Sequence, residues 1–419
     1  MDYKNIRGTH DLYGEKVNLF QRVESATVLM AQKYNFSEIR TPIIEFANVF
    51  HKNIGNTSDI VNKEMYVFED RNNEQIALRP EGTASVVRAL ISNGLSHTLP
   101  HKWYYVGPMF RYERPQKGRQ RQFHQLGFEY LGTNAWVSDV EVINLANDLL
   151  QTLGIVNYEL HLNSIGSIES LNNYKVALLS YLEQKKGSLS EDSLKRLDVN
   201  PLRILDSKNE QDQEIIINAP KILDYLIEKD KEHFNLVKGG LDALNIKYVL
   251  NHRLVRGLDY YTNTVFEFVT TDLGAQGALI AGGRYDNLIG SMNGPKVGAF
   301  GFAGGIERLA LMLNLQKSNQ RSIALVVEST QSIQGLKLAQ FVRNIGYSTD
   351  NILGKDISNK LKKVNTEVHF ASAIIGINDS LDNFKLKDSS TMEQITLSLN
   401  NIEELLNSKY SMYKVQGNE

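Results

Sequence analysis

Between Arg111 and Arg121 the chain reads RYERPQKGRQR, five basic residues against one acid, a local surplus of four positive charges. This is the kind of patch a nucleic-acid contact needs, although by itself it better suits a solvated surface hairpin. Just beyond it, alternation along QFHQLGFEYLG puts Phe123, Gln125, Gly127 and Glu129 on one face of a strand. Two polar groups on either side of a glycine suit a ligand lying close against the backbone, the competing reading being a solvent-facing polar stripe.

These residues belong to a predicted hairpin: Lys102–Glu113 and Gln122–Gly132 flank the polar loop Arg114–Arg121, which carries Pro115 and Gly118. Ahead of it, Phe20, Val23, Thr27, Met30 and Tyr34 recur at helical spacing and predict a helix over Leu19–Tyr34. The stretch Phe36–Phe50 is extended and β-branched, and Pro42 assigns it to a sheet edge or an interface because proline lacks a ladder donor. From about Ser167 to Lys247 the texture is helical, with Tyr174–Gln184 and His233–Asn245 as examples, and strand signals return at Leu254. The region Val255–Phe268 reads as a strand, and glycine-rich turns follow it at Gly274, Gly277, Gly282 and Gly283. Val297–Gly305 leads into a helix whose apolar face is Ile306, Leu309, Ala310 and Leu313. This predicts a mainly antiparallel α+β domain with a helical insertion. After a linker-like Lys317–Arg321, a strand at Ile323–Val327, a helix carrying Leu338, Phe341, Val342 and Ile345, a basic helix (Lys360, Lys362, Lys363), a strand at Ala373–Ile377 and a last helix from about Ile402 predict a small α/β domain.

Composition narrows the classes. A chain of 419 residues with 42% hydrophobic and 22% charged residues is an ordinary folded protein of two or three domains. No run approaches the roughly 18 apolar residues of a membrane helix, and Met1–Lys16 does not read as a signal peptide. There is no cysteine, which excludes disulfides, thiol nucleophiles and cysteine-held zinc, and fits a cytoplasmic location. With a formal net charge of -2, binding to a polyanion must come from local patches.

Three segments in order resemble the signatures of class II aminoacyl-tRNA synthetases: the stretch around Pro42 (motif 1), FRYERPQKGRQRQFHQLGFEYLG (motif 2) and GAFGFAGGIERLALML (motif 3). Within that class, LVRGLDYYT (Leu254–Thr262) and AGGRYDNL (Ala281–Leu288) are similar to the two histidine-specific blocks of the histidyl-tRNA synthetase family, LRPEGT (Leu78–Thr83) to its amino-acid loop, and RGTHD (Arg7–Asp11) to its N-terminal block. The resemblance covers residues 4–315 and, more loosely, the C-terminal domain. His10 stands where Gln or Asn is commoner in the family, and the tail after about Asp379 diverges.

The resemblance implies a class II antiparallel catalytic domain over residues 1–318, the helical insertion at about 167–247 within it, and an anticodon-binding α/β domain over 322–419. It implies ATP as a substrate, Mg2+ with it, the tRNA for histidine as partner, and a homodimer, with no membrane association. Adenylate formation brings a carboxylate to the α-phosphate of ATP, and preorganised cations in a dry site stabilise the charge that builds on phosphorus. The family's pattern gives this work to Arg111 and Arg256 as catalytic residues, with Arg119 on the γ-phosphate and with Phe123 and Arg308 on the two faces of adenine. Arg256 also fits a structural arginine paired with a carboxylate such as Asp259. A neutral imidazole needs one donor and one acceptor. The resemblance supplies Glu129 and Tyr261 for the ring, with Tyr285 and Tyr260 nearby, and Glu81, Gly82, Thr83, Gln125, Arg111 and Arg256 around the rest of the amino acid. Tyr260 and Tyr261 as plain core aromatics is the competing view. Arg114 and Gln116 are expected at the tRNA acceptor end, and Lys360–Lys363 either at the anticodon stem or on a solvated helix face. The sequence names no metal ligands. The other readings are a regulatory relative that shares the fold and binds a partner enzyme and histidine, against which the arginines and the 98 residues after Arg321 speak, and a synthetase for another small amino acid, against which LVRGLDYYT speaks.

Overall fold

Helical spacing of apolar residues makes the first element. Phe20, Val23, Thr27 and Met30 are buried along one side of α1 (Glu15–Tyr34), which starts four residues before the expected Leu19. It ends where Asn35 turns left-handed, φ 59°, a common helix stop. The computed structural model describes residues 3–54, 60–115, 118–255, 258–274, 277–314 and 321–415.

Two short strands replace the single extended run expected over Phe36–Phe50. β1 (Ser37–Glu38) and β2 (Ile44–Phe46) lie on either side of Pro42 and enter different sheets, and α2 (Asn48–Ile54) takes up the end of the run. Both strands are edges, as the proline requires. The last residues depart from the expected strand because three apolar positions cannot separate a strand from a first helical turn. β3 (Tyr66–Glu69) and β4 (Gln75–Leu78) complete a small antiparallel sheet in the order β2-β4-β3, and α3 (Thr83–Ser92) follows.

The predicted hairpin forms as β5 (His101–Phe110) and β6 (Gln122–Leu131), in register with Tyr105 opposite Gly127 and Trp103 opposite Glu129. With β7 (Glu159–Ser164), β8 (Val249–Leu250), β9 (Thr262–Val269), β10 (Ala278–Arg284) and β11 (Ala299–Gly305) it builds an eight-stranded sheet, ordered β1-β5-β6-β11-β10-β9-β7-β8. Every inner pairing is antiparallel, and the outermost pairs β1–β5 and β7–β8 are parallel. The strand expected from Val255 begins only at Thr262. The β-rich composition of LDYYT reflects buried aromatics in a turn, not a ladder.

Period-two alternation divides this sheet. Leu126 and Phe128, Phe266 and Phe268, and Phe300 and Phe302 point to one side, where they pack with α1, α4 (Trp136–Thr152) and the helix that ends the helical stretch. Phe266 and Phe300 stack with centroids 5.7 Å apart. That stretch comprises α5 (Ile168–Glu183), α6 (Glu191–Val199), α7 (Glu210–Ile216) and α8 (Glu228–Ala243). It serves both sides: Phe234, Val237 and Leu241 of α8 join the phenylalanine core, whereas Tyr174, Leu178 and Leu182 of α5 join a second cluster with Tyr105, Tyr260, Tyr261 and Tyr285. After the short α9 (Leu288–Ser291), β11 runs directly into α10 (Ile306–Met312), whose Ile306, Leu309 and Ala310 are buried as predicted.

The chain divides into two compact units, Met1–Leu315 and Gln316–Glu419. In the second unit, β12 (Ser322–Val327), β13 (Thr349–Asn351), β14 (His369–Ile375), β15 (Phe384–Asp388) and β16 (Gln394–Leu397) form a mixed sheet in the order β13-β12-β14-β15-β16. Its helices are α11 (Ser332–Asn344), α12 (Ile357–Leu361) and α13 (Leu399–Lys409). The basic helix is shorter than expected and its Lys360 is buried, with Nζ donating to the Val327 carbonyl at 2.6 Å. Lys360 therefore helps close this unit's core and leaves the expected surface patch. Of the linker-like run, 317–320 lies outside the described residues. Among the described residues no helix is long and apolar enough to cross a membrane.

Candidate active site

A cavity of about 710 Å³ opens over the polar side of the eight-stranded sheet. Its cationic end comes from the hairpin and α10. Arg111 donates from Nε to the Pro80 carbonyl at 2.9 Å, and its guanidinium lies 5.1 Å from the Phe123 ring centre. Arg119 pairs with Glu113 at 3.2 Å, and Arg111 comes within 3.9 Å of the same carboxylate. Arg308 is fixed by bonds to the carbonyls of Gly118 (3.2 Å) and Ala278 (2.9 Å). Burial first, and then the like charges of Arg119 and Arg111, lower the pKa of Arg308, with Glu113 opposing. Cations held together against their own repulsion are a preorganised anion site.

The sequence's basic surplus is thus largely directed inward. Arg121 stacks on Tyr112 at 3.9 Å, and the carbonyl of Gly8 accepts from its backbone N–H at 2.7 Å, tying the N-terminal block to the loop. Arg114 is exposed and outside the cavity wall, and Gln116 lies outside the described residues.

The other end is a buried polar nest. Both Glu81 oxygens accept backbone N–H bonds at the start of α3, from Thr83 (2.6 Å) and Ala84 (2.7 Å). Burial raises the Glu81 pKa against those bonds. Thr83 gives its hydroxyl proton to Glu129 at 2.6 Å, and the Tyr285 hydroxyl donates to the other Glu129 oxygen. Glu129 is 1% exposed and lies behind Thr83 and Tyr285, which do line the cavity. Burial pushes its carboxyl up to about 8, with the neighbouring Glu81 adding and the two donors opposing. Burial also holds the phenols of Tyr260 and Tyr285 well above their usual range, so both stay neutral. The rings of Tyr260 and Tyr261 lie 4.8 Å apart, and Tyr285 sits 5.8 Å from Tyr260. Among the described residues the buried Gln125 Oε1 atom has no partner, an acceptor open to a ligand.

Gly127 plays a different part from the one expected. A Cβ there would collide with the Tyr105 ring, and so would one on Gly82. The space over the strand belongs to the phenol of Tyr105, which is nearly fully buried between the two glycines. Arg284, 1% exposed, pins the end of β10 by ion pairs to Asp139 and Asp286, and so sets the position of the adjoining Tyr285.

Of the residues singled out from sequence, Glu81, Thr83, Arg111, Arg119, Phe123, Gln125, Tyr260, Tyr261, Tyr285 and Arg308 line one cavity. Gly82 contributes backbone at the start of α3. Arg256 falls outside the described residues, between the cavity-lining Val255 and Leu258. The sequence reading missed Glu113, Tyr105, the bond from the His124 backbone N–H to Glu307 (2.8 Å), and the wall formed by Arg203 and Leu205–Lys208. The Arg-x-Glu spacing could have given Glu113, and the hairpin register Tyr105. The wall is tertiary and leaves no local signal. Among the described residues no group of three or more His, Asp or Glu side chains is placed to hold a metal ion.

An antiparallel sheet that offers a hairpin of arginines, and a strand–helix unit ending in one more, to a single cavity places the protein among class II aminoacyl-tRNA synthetases. The family model described as Histidyl-tRNA synthetase matches residues 8–309. The chain is 44% identical to the histidine–tRNA ligase of Rhodospirillum rubrum over 405 residues, 96% of this chain and 98% of that one. It is 42% identical to that of Gluconobacter oxydans, covering 96% and 97%. The crystal structure of apo S. aureus histidyl-tRNA synthetase superimposes with a TM-score of 0.80 at 31% identity, covering 96% of this chain and 99% of that chain. The chain belongs to the histidyl-tRNA synthetase family. A structure from Bacillus halodurans described as an ATP phosphoribosyltransferase regulatory subunit/histidyl-tRNA synthetase matches at 20% identity with a TM-score of 0.61, which speaks for the fold alone.

Proposed function

We propose that this protein activates L-histidine with ATP and transfers it to the 3' end of the tRNA for histidine, using the single cavity for both steps. The observation that carries the reading is the convergence of Arg111, Arg119 and Arg308 beside a buried nest built on Glu129. Phe123 and Arg308 take adenine, and Arg119 the far phosphates. Arg111 faces the α-phosphate and the amino-acid carboxylate. A carboxylate oxygen of histidine attacks the α-phosphorus and pyrophosphate leaves. The clustered guanidinium groups stabilise the charge on the phosphoryl oxygens, and Arg256 adds to them. In the second step a ribose hydroxyl of the tRNA attacks the mixed anhydride and AMP leaves.

Selection follows from the nest. Each Glu129 oxygen accepts one bond, and once the carboxyl has given up its proton a lone pair remains to receive an imidazole N–H. Tyr261 serves the other ring nitrogen. The ammonium of histidine meets Glu81, the lone pairs of Thr83 and the Gln125 Oε1 atom, which has no partner among the described residues. A pocket that hydrogen-bonds its ligand rejects analogues lacking those groups by about 10⁴-fold or more, which removes the need for editing. Mg2+ enters with ATP as part of the substrate. Arg114 contacts the acceptor end of the tRNA, and the second unit its anticodon arm. A second copy of the chain covers the small sheet, whose Ile44, Phe46 and Phe68 are exposed on one face.

An aminoacylation assay with total tRNA and each of the twenty amino acids tests the whole reading. Only histidine should be transferred, and histidine alone should drive exchange of pyrophosphate into ATP. A folded protein with no exchange would point to the regulatory relative.

A further inference from the structure

Between β4 and α3 the chain leaves the small sheet and passes alongside β5, and Arg79 stands at that crossing. Its backbone already joins the two sheets. The N–H donates to the Ile43 carbonyl just ahead of β2 (3.0 Å), and the carbonyl accepts from Phe110, the last residue of β5 (3.0 Å). The side chain repeats the tie. Nε donates to the Pro108 carbonyl of β5 at 3.0 Å, and Nη1 donates to the carbonyl and to the hydroxyl of Thr41, each at 2.9 Å.

Arg79 is 6% exposed, and among the described residues its head bonds to these neutral oxygens and to no carboxylate. A buried charge without a counterion on it is costly to keep, which apolar packing alone would not require. The neighbouring strand is shaped to admit it. A Cβ on Gly107 would lie 2.5 Å from Arg79 Nη2, so any larger residue there would push the head off its partners. Gly107 pairs with Gln125, which lines the cavity. Two more cavity residues hang from the same crossing. The carbonyl of Pro80 accepts from Arg111 Nε at 2.9 Å, and Glu81 is the residue after it. Arg111 in turn follows Phe110, whose N–H is held by the Arg79 carbonyl.

We infer that Arg79 is a positioning residue for the adenylation step: its buried guanidinium locks the crossing to β5 and to Thr41, and so sets where Arg111 meets the α-phosphate. The inference rests on the reading of Arg111 as the residue that faces that phosphate. The task needs a fork. Lysine keeps the charge but offers one nitrogen in place of the two that hold Pro108 and Thr41. Misplacement of a reacting group by about 1 Å costs roughly 100-fold in rate, so a slack crossing would be felt in the chemistry before it is felt in binding.

The experiment is steady-state pyrophosphate exchange on the full-length protein with Arg79→Lys, the milder Thr41→Val, Arg111→Lys and the double variant Arg79→Lys/Arg111→Lys. Arg79→Lys should lower kcat by about 10-fold to 100-fold. KM for histidine and for ATP should rise by less than about threefold, since Arg79 meets neither substrate. Thr41→Val removes a single bond and should lower kcat by about twofold to fivefold. The loss should run through Arg111: once Arg111 is lysine, Arg79→Lys should cost less than about threefold more. Thermal melting and sedimentation monitor fold and association, and Thr41→Val should match the parent in both. Unchanged kcat in Arg79→Lys overturns the inference, as does its full loss persisting beside Arg111→Lys, or a fall in kcat that appears only as melting point or association falls. Should Arg79→Lys not fold, Thr41→Val decides, and an unchanged kcat there overturns the inference. Full exchange activity in Arg111→Lys would instead remove the reading of Arg111, and absence of histidine-dependent exchange in the parent protein would remove the adenylation reading, so the failures are distinct.

Discussion

A carboxyl group whose own pKa lies near neutrality is a sensitive recognition element. Glu129 sits at about 8, against about 4.3 for an unfolded glutamate. At pH 7 the folded protein therefore keeps a proton that the unfolded chain has lost. The stability tied to that proton is fully present below the unfolded value and declines as pH rises from about 4 to about 8. An imidazole N–H arriving at Glu129 favours the carboxylate, so histidine binding at pH 7 should release a proton. Calorimetry in buffers of different ionisation enthalpy should detect it, and Glu129→Gln should abolish it. The same variant should raise KM for histidine by at least about tenfold while leaving KM for ATP nearly unchanged; equal loss of both would take Glu129 out of the side-chain pocket. Arg256→Ala should cut kcat for exchange by about 10²–10³ with little change in histidine affinity, and a parallel change would give Arg256 a binding role instead. At this scale the sequence was informative wherever a motif fixed both residue type and spacing, as for Arg111, Gln125 and Arg308. It was silent on Asp212, which gathers the hydroxyls of Ser190, Ser193 and Ser207 behind the cavity wall, because a carboxylate that organises its neighbours has no periodicity of its own.

At the level of elements, the hairpin and the β11–α10 unit were legible because long alternating runs, bounded by glycine and proline, leave little choice. The failures are short. The end of the Phe36–Phe50 run became α2, and the strand expected from Val255 starts at Thr262. In each case a few apolar or aromatic residues fit several geometries and the tertiary partner decides. Tyr105 illustrates what register adds: once it stands opposite Gly127, the missing side chain is seen to make room for its ring. Gly127→Ala should then cost about 1–3 kcal/mol through overpacking, read as a lowered melting point, and should disturb histidine binding through the adjoining Glu129. Tyr105→Ala in the same chain should absorb much of that cost. Strict additivity of the two changes would mean that the contact carries no strain.

For the molecule as a whole, the prediction concerns association. Phe46, Ile76 and Phe68 stand side by side across β2, β4 and β3, and both phenylalanines are about half exposed, at 53% and 44%. Such a row is a normal interface core and an unusual free surface. Sedimentation should find a dimer, and Phe46→Asp should shift it to monomer at micromolar concentration with loss of activity; a monomeric parent would leave the apolar row without this explanation. The sequence suggested this face only through Pro42, since the third strand that completes it lies twenty residues further on. The outer rims of the large sheet behave in the opposite way. β1 and β8 are two residues long each, and each runs parallel to its neighbour. Edge strands this short offer a stray extended polypeptide little to zip onto along β1 and β8 themselves. Aggregation of this protein during synthesis or heating should therefore start from partly unfolded chains, and seeding with preformed fibrils of other proteins should not accelerate it.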